Sequence, residues 1–445
     1  MNQPKKAITS ISPVIRDTLK NLQEKIEDNP DDNDARVLLD GALHQLLEGI
    51  YQQDEPDGDD QLTVALLEEL VTLLPQELSL FRGLAKTFIS RKDWPRALEQ
   101  TEFGLIVDPD DADFLFDRAY CLLEMDEHAQ AIGGFDRFLK VEKHYPWAYN
   151  NIGACFRNLG QYDKAEEYFK RAIQIDETFL PAYQNLSLLY TDIRDPEKAA
   201  YFAGVVVHNS PSDQEARLIL GDALMGMKKP KLALEHLVTA TLIDRDFVEA
   251  YETMAAAYTD IGMFELAVAA AKEALRINPQ SWMALANWGY ALNKQDDFEQ
   301  AIELSLKALA LRPGLESMYK LCWEIGWMYF RVGQSPNALE YTNKALGLKQ
   351  DPDLMLWFNK GLIHLTLGQE QEARAAYDQA IDRFVAIQDD GVVMEAIQDL
   401  EDYVTGQRLF AQKESGPMTA VAEEIQKAIQ QHLDGWFAVV QDTEG

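Results

Sequence analysis

The sequence predicts an all-α solenoid of antiparallel helix pairs with helical caps at both ends. Two observations carry that reading: small side chains return at a fixed interval along most of the 445 residues, and the apolar residues around them keep helical spacing. Alanine stands at Ala97, Ala131, Ala165, Ala199, Ala233, Ala267 and Ala301, each 34 residues after the last, and again at Ala338 and Ala373 after small insertions. Twelve residues before each sits a second small residue: Ala85, Ala119, Gly153, Ser187, Gly221, Ala255, Gly289, Gly326 and Gly361. Two such positions per unit let two helices cross closely, because bulk there would hold the axes apart.

Repetition also accounts for the length. A single conventional core rarely serves a chain of this size, whereas units that pack only on their neighbours extend a core along one axis. Within a unit, Tyr149, Ile152, Gly153 and Phe156 mark one helix, and Ala165, Tyr168, Phe169 and Ala172 mark the next. Gly160, Gly262 and Gly333 fall just past a first helix, where a left-handed residue ends it. Pro109, Pro211, Pro279 and Pro313 close units at points where a continuing helix would lose a hydrogen bond.

The period and the order aromatic, Leu-Gly, aromatic, Ala, aromatic, Ala resemble the tetratricopeptide repeat family. The clearest copy is PWAYNNIGACFRNLGQYDKAEEYFKRAIQIDETF at 146–179, and nine copies run over 78–387. The resemblance implies a right-handed superhelix whose first helices line a concave groove. Residues 34–77 read as a further, degenerate copy, with Gly41 and Ala65 in the small positions and an acidic loop, Asp54 to Asp60, inserted between its helices. Residues 1–33 hold an N-terminal capping helix, with Ser12 as N-cap and Pro13 in the first turn. Residues 388–445 lose the period, yet VVMEAIQDLEDYV and MTAVAEEIQKAIQQHLDGWFAVV read as amphipathic capping helices.

Composition narrows the function classes. The formal net charge of -33 repels phosphate backbones and anionic membrane surfaces. Nucleic acid is therefore not expected as a ligand, and a partner with basic character suits the field better. No run approaches the ~18 apolar residues of a membrane span. No apolar signal core follows Lys5 and Lys6, so a cytoplasmic location is expected. Cys121, Cys155 and Cys322 form no close pair and no CxxC motif.

No catalytic, metal or cofactor constellation stands out. The acidic loop fails as a calcium loop: with Gly58 as its sixth residue, Gln53 falls first and Val64 twelfth, where carboxylates are needed. The seven histidines make no i, i+4 pair. There is no phosphate loop, no Gly-x-Ser-x-Gly elbow, and no Cys and His set placed to activate a nucleophile.

Binding residues follow from the resemblance. Some members of the family place an Asn two residues before the small position, where its amide can grip a peptide backbone; here Asn151, Asn185, Asn287 and Asn359 occupy it, with Asp117, Thr253 and Glu324 in other units. The family's two-carboxylate clamp is excluded: Arg82 and Lys86 could begin one, but Asp117 stands in place of the Asn and Ala154 in place of a basic residue. The last three units bring Tyr290, Trp323, Trp327, Phe330, Phe358 and Leu362 to inferred groove positions. Two tryptophans one turn apart make an apolar strip, and rigid aromatics are favoured anchors for an amphipathic helix or peptide. The chain's own C-terminal helices are the competing occupant. The expected function is that of a protein-interaction adaptor; the alternative is a dedicated chaperone for a secretion or assembly substrate, and fold alone does not separate the two.

Overall fold

Small residues at a fixed spacing demand helix crossings, and the crossings are there. A computed structural model describes residues 10–30, 32–51, 60–350, 353–387, 398–399, 420–427 and 429–431; every element among them is helical. Of the nine phased alanines, eight have no solvent exposure and Ala199 retains 1%. The chain divides into two compact units, Met1–Val206 and Val207–Gly445, and each is described by itself.

The first unit opens with α1 (Pro13–Asp28), α2 (Asn33–Tyr51) and α3 (Asp60–Leu73). Three helix pairs follow: α4 (Leu78–Ser90) with α5 (Trp94–Val107), α6 (Ala112–Glu124) with α7 (His128–Val141), and α8 (Pro146–Asn158) with α9 (Tyr162–Ile175). Then come α10 (Leu180–Asp192) and α11 (Pro196–Asn209), joined by the stacked rings of Tyr190 and Phe202 at 5.5 Å. Each pair also packs on the next, so that the first helices α4, α6, α8 and α10 touch in sequence.

Pairs in the second unit are α12 (Gln214–Gly226) with α13 (Pro230–Ile243), α14 (Val248–Asp260) with α15 (Phe264–Ile277), and α16 (Trp282–Lys294) with α17 (Phe298–Ala310). Its last two are α18 (Leu315–Arg331) with α19 (Ser335–Leu348) and α20 (Leu354–Thr366) with α21 (Glu370–Ile387). At 17 residues, α18 is about one turn longer than the 13-residue first helices around it. That turn absorbs the insertion before Ala338 without disturbing the crossings.

Both flanks depart from the repeat. Ser12 Oγ accepts the Ile15 N–H at 3.3 Å and Pro13 opens α1, as the sequence predicts. Gly41 and Ala65 are exposed instead of crossing, and a Cβ at Gly41 would meet nothing within 4 Å. Here α1, α2 and α3 bury larger side chains, among them Leu19, Leu39, Leu67 and Leu70, against Leu80, Leu84 and Phe88 of α4. Residues 52–59, which hold the acidic loop up to Asp59, and residues 388–397 lie outside the described residues; Asp60 opens α3. Of the C-terminal helices, 420–427 is helical; Ala422, Ile425 and Ile429 are buried with Phe358 and Tyr377, and Arg374 pairs with Glu424 at 2.6 Å.

The turn inside each pair shows what glycine counting missed. All nine place one residue at positive φ, yet only four use glycine; Lys92, Asp126, Arg194, Lys228 and Asp296 hold φ of 57° to 61°. The following N–H reaches back into the first helix, as from Asp93 to the Phe88 carbonyl at 2.9 Å and from Lys229 to the Leu224 carbonyl at 2.8 Å. That closure outweighs the steric cost of an L residue there, about 1 kcal/mol. Lys228→Gly is accordingly expected to stabilise the second unit by about 1 kcal/mol in urea denaturation, while Lys228→Ala stays within about 0.5 kcal/mol of the parent.

Candidate partner-binding surface

The asparagines predicted to face a ligand are largely engaged within the protein. Asn185 Nδ2 on α10 donates to Asn150 Oδ1 on α8 at 2.8 Å, and Asn150 Nδ2 donates to Asn151 Oδ1 at 3.5 Å. Farther on, Asn287 Nδ2 of α16 donates to the backbone carbonyl of Glu252 on α14 at 2.8 Å. Asn151 and Asn359 are buried, at 7% and 6% exposure. The small residues bring first helices so close that an amide two positions earlier reaches the neighbouring helix before it reaches solvent. For Asn185 and Asn287 the expected role becomes a stitch between helices.

The aromatic strip narrows in the same way. Phe330, Phe358 and Leu362, predicted as groove contacts, have 0%, 2% and 2% exposure and belong to the core that Ala422, Ile425 and Ile429 complete. The C-terminal segment takes part of the apolar surface that periodicity alone left open. Tyr290, Trp323 and Trp327 remain partly exposed. Trp323 meets Tyr319 edge-on at 6.1 Å, Trp327 stacks on Phe330 at 5.3 Å, and Lys294 Nζ lies 5.1 Å from the Tyr290 ring centre.

Of the carboxylates on the first helices, Asp117 and Glu324 show in the sequence as gaps in the asparagine series, whereas Asp222 and Glu252 lie outside that register. Burial raises the Glu324 carboxyl to about 7, against the pull of Lys294 and Lys320. Burial likewise raises Asp117 to about 6, with Lys86 opposing, and its buried Oδ2 has no hydrogen-bond partner among the described residues. Asp222 is raised to about 6 by the protein around it although the residue keeps solvent contact; its Oδ1 accepts the Thr253 hydroxyl at 2.9 Å. Glu252 is buried and raised, and accepts a hydrogen bond from Ser281 Oγ. An acid crowded by apolar groups keeps its proton longer, because water no longer stabilises the charge.

No other chemistry gathers at these helices. Arg82, the possible start of a clamp, is engaged by Asp111 at 2.8 Å and Asp113 at 3.2 Å. The three cysteines are buried, and burial pushes the thiols of Cys121 and Cys155 up to about 12, far from a reactive thiolate. Among the described residues no group of three or more His, Cys, Asp or Glu is placed to hold a metal, and no helix is long and apolar enough to cross a membrane.

Comparison with known proteins turns the repeat into a family. Tetratricopeptide repeat models match residues 146–179, 253–316 and 356–383, the first being the copy quoted above. The chain is a tetratricopeptide repeat protein. Membership gives it the architecture of a protein-interaction scaffold. It is 23% identical to BBSome complex member BBS4 of Bos taurus, over 73% of this chain and 61% of that protein. It is 21% identical to anaphase-promoting complex subunit 3 of Schizosaccharomyces pombe, over 60% of this chain and 39% of the relative. With protein O-mannosyl-transferase TMTC1 of Homo sapiens it shares 26% identity over 46% of this chain and 23% of that enzyme. The repeat protein thus spans less than two thirds of the length of each of these relatives. A solved tetratricopeptide repeat protein from Parabacteroides merdae is similar at 16% identity and a TM-score of 0.46, covering 54% of this chain and 94% of that one.

Proposed function

We propose that this tetratricopeptide repeat protein is an adaptor that holds a partner peptide or amphipathic helix on its first-helix face, at the part of α16 and α18 marked by Tyr290, Trp323 and Trp327. One observation carries the reading: two partly exposed tryptophans one turn apart flank Glu324, whose carboxyl is held near neutrality. Aromatic faces attract cations as well as apolar groups, and an approaching Lys or Arg would draw the Glu324 carboxyl into its ionised form, which makes a basic side chain the fitting one. The formal net charge of -33 acts in the same direction over longer range. The fitting ligand is therefore an apolar segment with interspersed Lys or Arg, and positioning rather than bond chemistry is the work done.

Trp323→Ala and Glu324→Lys together are expected to reduce capture of the native partner about ten-fold or more in affinity purification. The far-ultraviolet circular dichroism should stay unchanged, since neither side chain is fully buried. Equal capture by parent and variant would remove α18 from the binding surface. A dedicated chaperone differs in one respect: its client would be insoluble when expressed without this chain.

A further inference from the structure

The ninth helix pair breaks the apolar pattern of its siblings at two seam positions. One residue before the small position, six of the eight earlier pairs carry Leu84, Ile152, Leu186, Leu220, Met254 or Ile325, the second carries Arg118 and the seventh Trp288, and the ninth carries Lys360. Three residues after it, all eight earlier pairs carry Phe, Leu or Tyr, and the ninth carries His364. These exchanges border a cleft of ≈ 330 Å³ lined by α19, α20 and α21.

The cleft brings together one buried donor whose need is unmet and a cation without a carboxylate partner among the described residues. Trp357 Nε1 is buried and has no hydrogen-bond partner among the described residues; an indole N–H can only donate. Lys360 forms no ion pair among the described residues: its ammonium rests 5.4 Å from the centre of the Trp357 ring, and burial lowers its proton affinity. The Arg383 guanidinium covers the same ring at 4.9 Å and donates to Gln379 Oε1 at 3.1 Å, which leaves the Gln379 amide nitrogen as the group available to the cleft. Asn343 lines the cleft from α19, and Glu372 is its one carboxylate. A half-buried ammonium with no carboxylate paired to it among the described residues and an unsatisfied N–H beside the same cleft together favour an acceptor with negative charge.

We propose that this cleft binds a carboxylate carried by an acidic peptide segment, with Lys360 supplying the charge and Trp357 Nε1 the directed donor. With the Lys360 ammonium and the Arg383 guanidinium over the Trp357 ring and the Glu372 carboxylate lining the same cleft, one positive charge is left over, which matches a monoanion better than a phosphate dianion. The cleft lies on the seam of the ninth pair, apart from Tyr290, Trp323 and Trp327, so the proposal stands whether or not the first-helix face binds a partner.

The test uses the full chain with 15N-labelled tryptophan indoles, the Trp357 signal being assigned through Trp357→Phe. Three probes are titrated: an end-blocked Gly-Asp-Gly-Glu-Gly peptide, an N-acetylated Gly-Gly-Ala peptide with a free C-terminus, and inorganic phosphate. A saturable shift of the Trp357 signal is expected with at least one peptide, and the peptide that produces it tells side-chain from C-terminal carboxylate. Lys360→Met should weaken that binding about ten-fold or more and leave the other indole signals in place, since Met254 fills the same position in the sixth pair. Silence of the Trp357 signal with both peptides, equal binding by Lys360→Met, or phosphate binding as tight as either peptide would each overturn the proposal.

Discussion

Replacing Gly326 with Leu is expected to destabilise the second unit by about 3 kcal/mol or more, the upper range for overpacking a close contact. A Cβ built at Gly326 would lie 3.1 Å from the Thr342 backbone nitrogen, 3.3 Å from the Ala338 carbonyl oxygen and 2.8 Å from Thr342 Oγ1. Backbone atoms cannot rotate away as a side-chain tip can. Relief requires α18 and α19 to separate, and Ala338 and Thr342 then lose their burial. Gly361 gives the useful contrast, since its nearest neighbours are atoms of the Tyr377 ring. Urea denaturation of Gly326→Leu and Gly361→Leu should both show losses, with the larger at Gly326; a Gly326→Leu midpoint equal to the parent's would refute the crossing.

Stability should also fall as pH rises from about 5 to 8. Asp117 and Asp222 titrate near 6 and Glu324 near 7 in the folded chain, all above their ordinary values. Between the unfolded and folded values the native state holds more protons than the unfolded one, so the slope of unfolding free energy against pH is negative. Their stabilisation is complete below about pH 4 and is lost as each carboxyl ionises through 6 to 7. Glu303, hydrogen-bonded to Lys307, and Asp195, held by the Lys198 backbone, have the opposite shift; they contribute above about pH 4 and fail in stronger acid. The stability optimum therefore lies on the acid side of neutrality. Discounted for the solvent contact of Asp222 and Glu324, the combined loss is about 2 kcal/mol. Thermal melts at pH 5.5 and 8 check it, and Glu324→Gln should flatten the slope and raise the midpoint at pH 8 by about 2 °C. A melt that rises with pH over this range would reverse the assignment.

What the sequence made legible was whatever depends on side-chain size and phase. Ala97 through Ala373 announce helix crossings because nothing larger fits, and Ser12 followed by Pro13 announces a helix start through hydrogen-bond chemistry alone. Contacts across long stretches of chain were hidden. Phe330 and Phe358 look like groove residues by position, and only the fold places Ile425 and Ile429 in their core. The turns at Lys92 and Lys228 carry no local signature, because their left-handed residue is held by a hydrogen bond to the helix behind it. Asp117 and Glu324 were readable as exceptions to the asparagine pattern, but not as acids that keep their protons, since the atoms surrounding a carboxyl are a property of three dimensions. The cleft beside Lys360 was legible only by comparing units with one another.

The amide of Asn287 on the carbonyl of Glu252, and that of Asn185 on Asn150, span 35 positions of chain. A hairpin fastened in this manner cannot peel away without breaking a bond that also belongs to the hairpin before it. Pulled from its ends, such an array would yield in jumps longer than one hairpin, and slow hydrogen-exchange zones would straddle repeat borders instead of stopping at them.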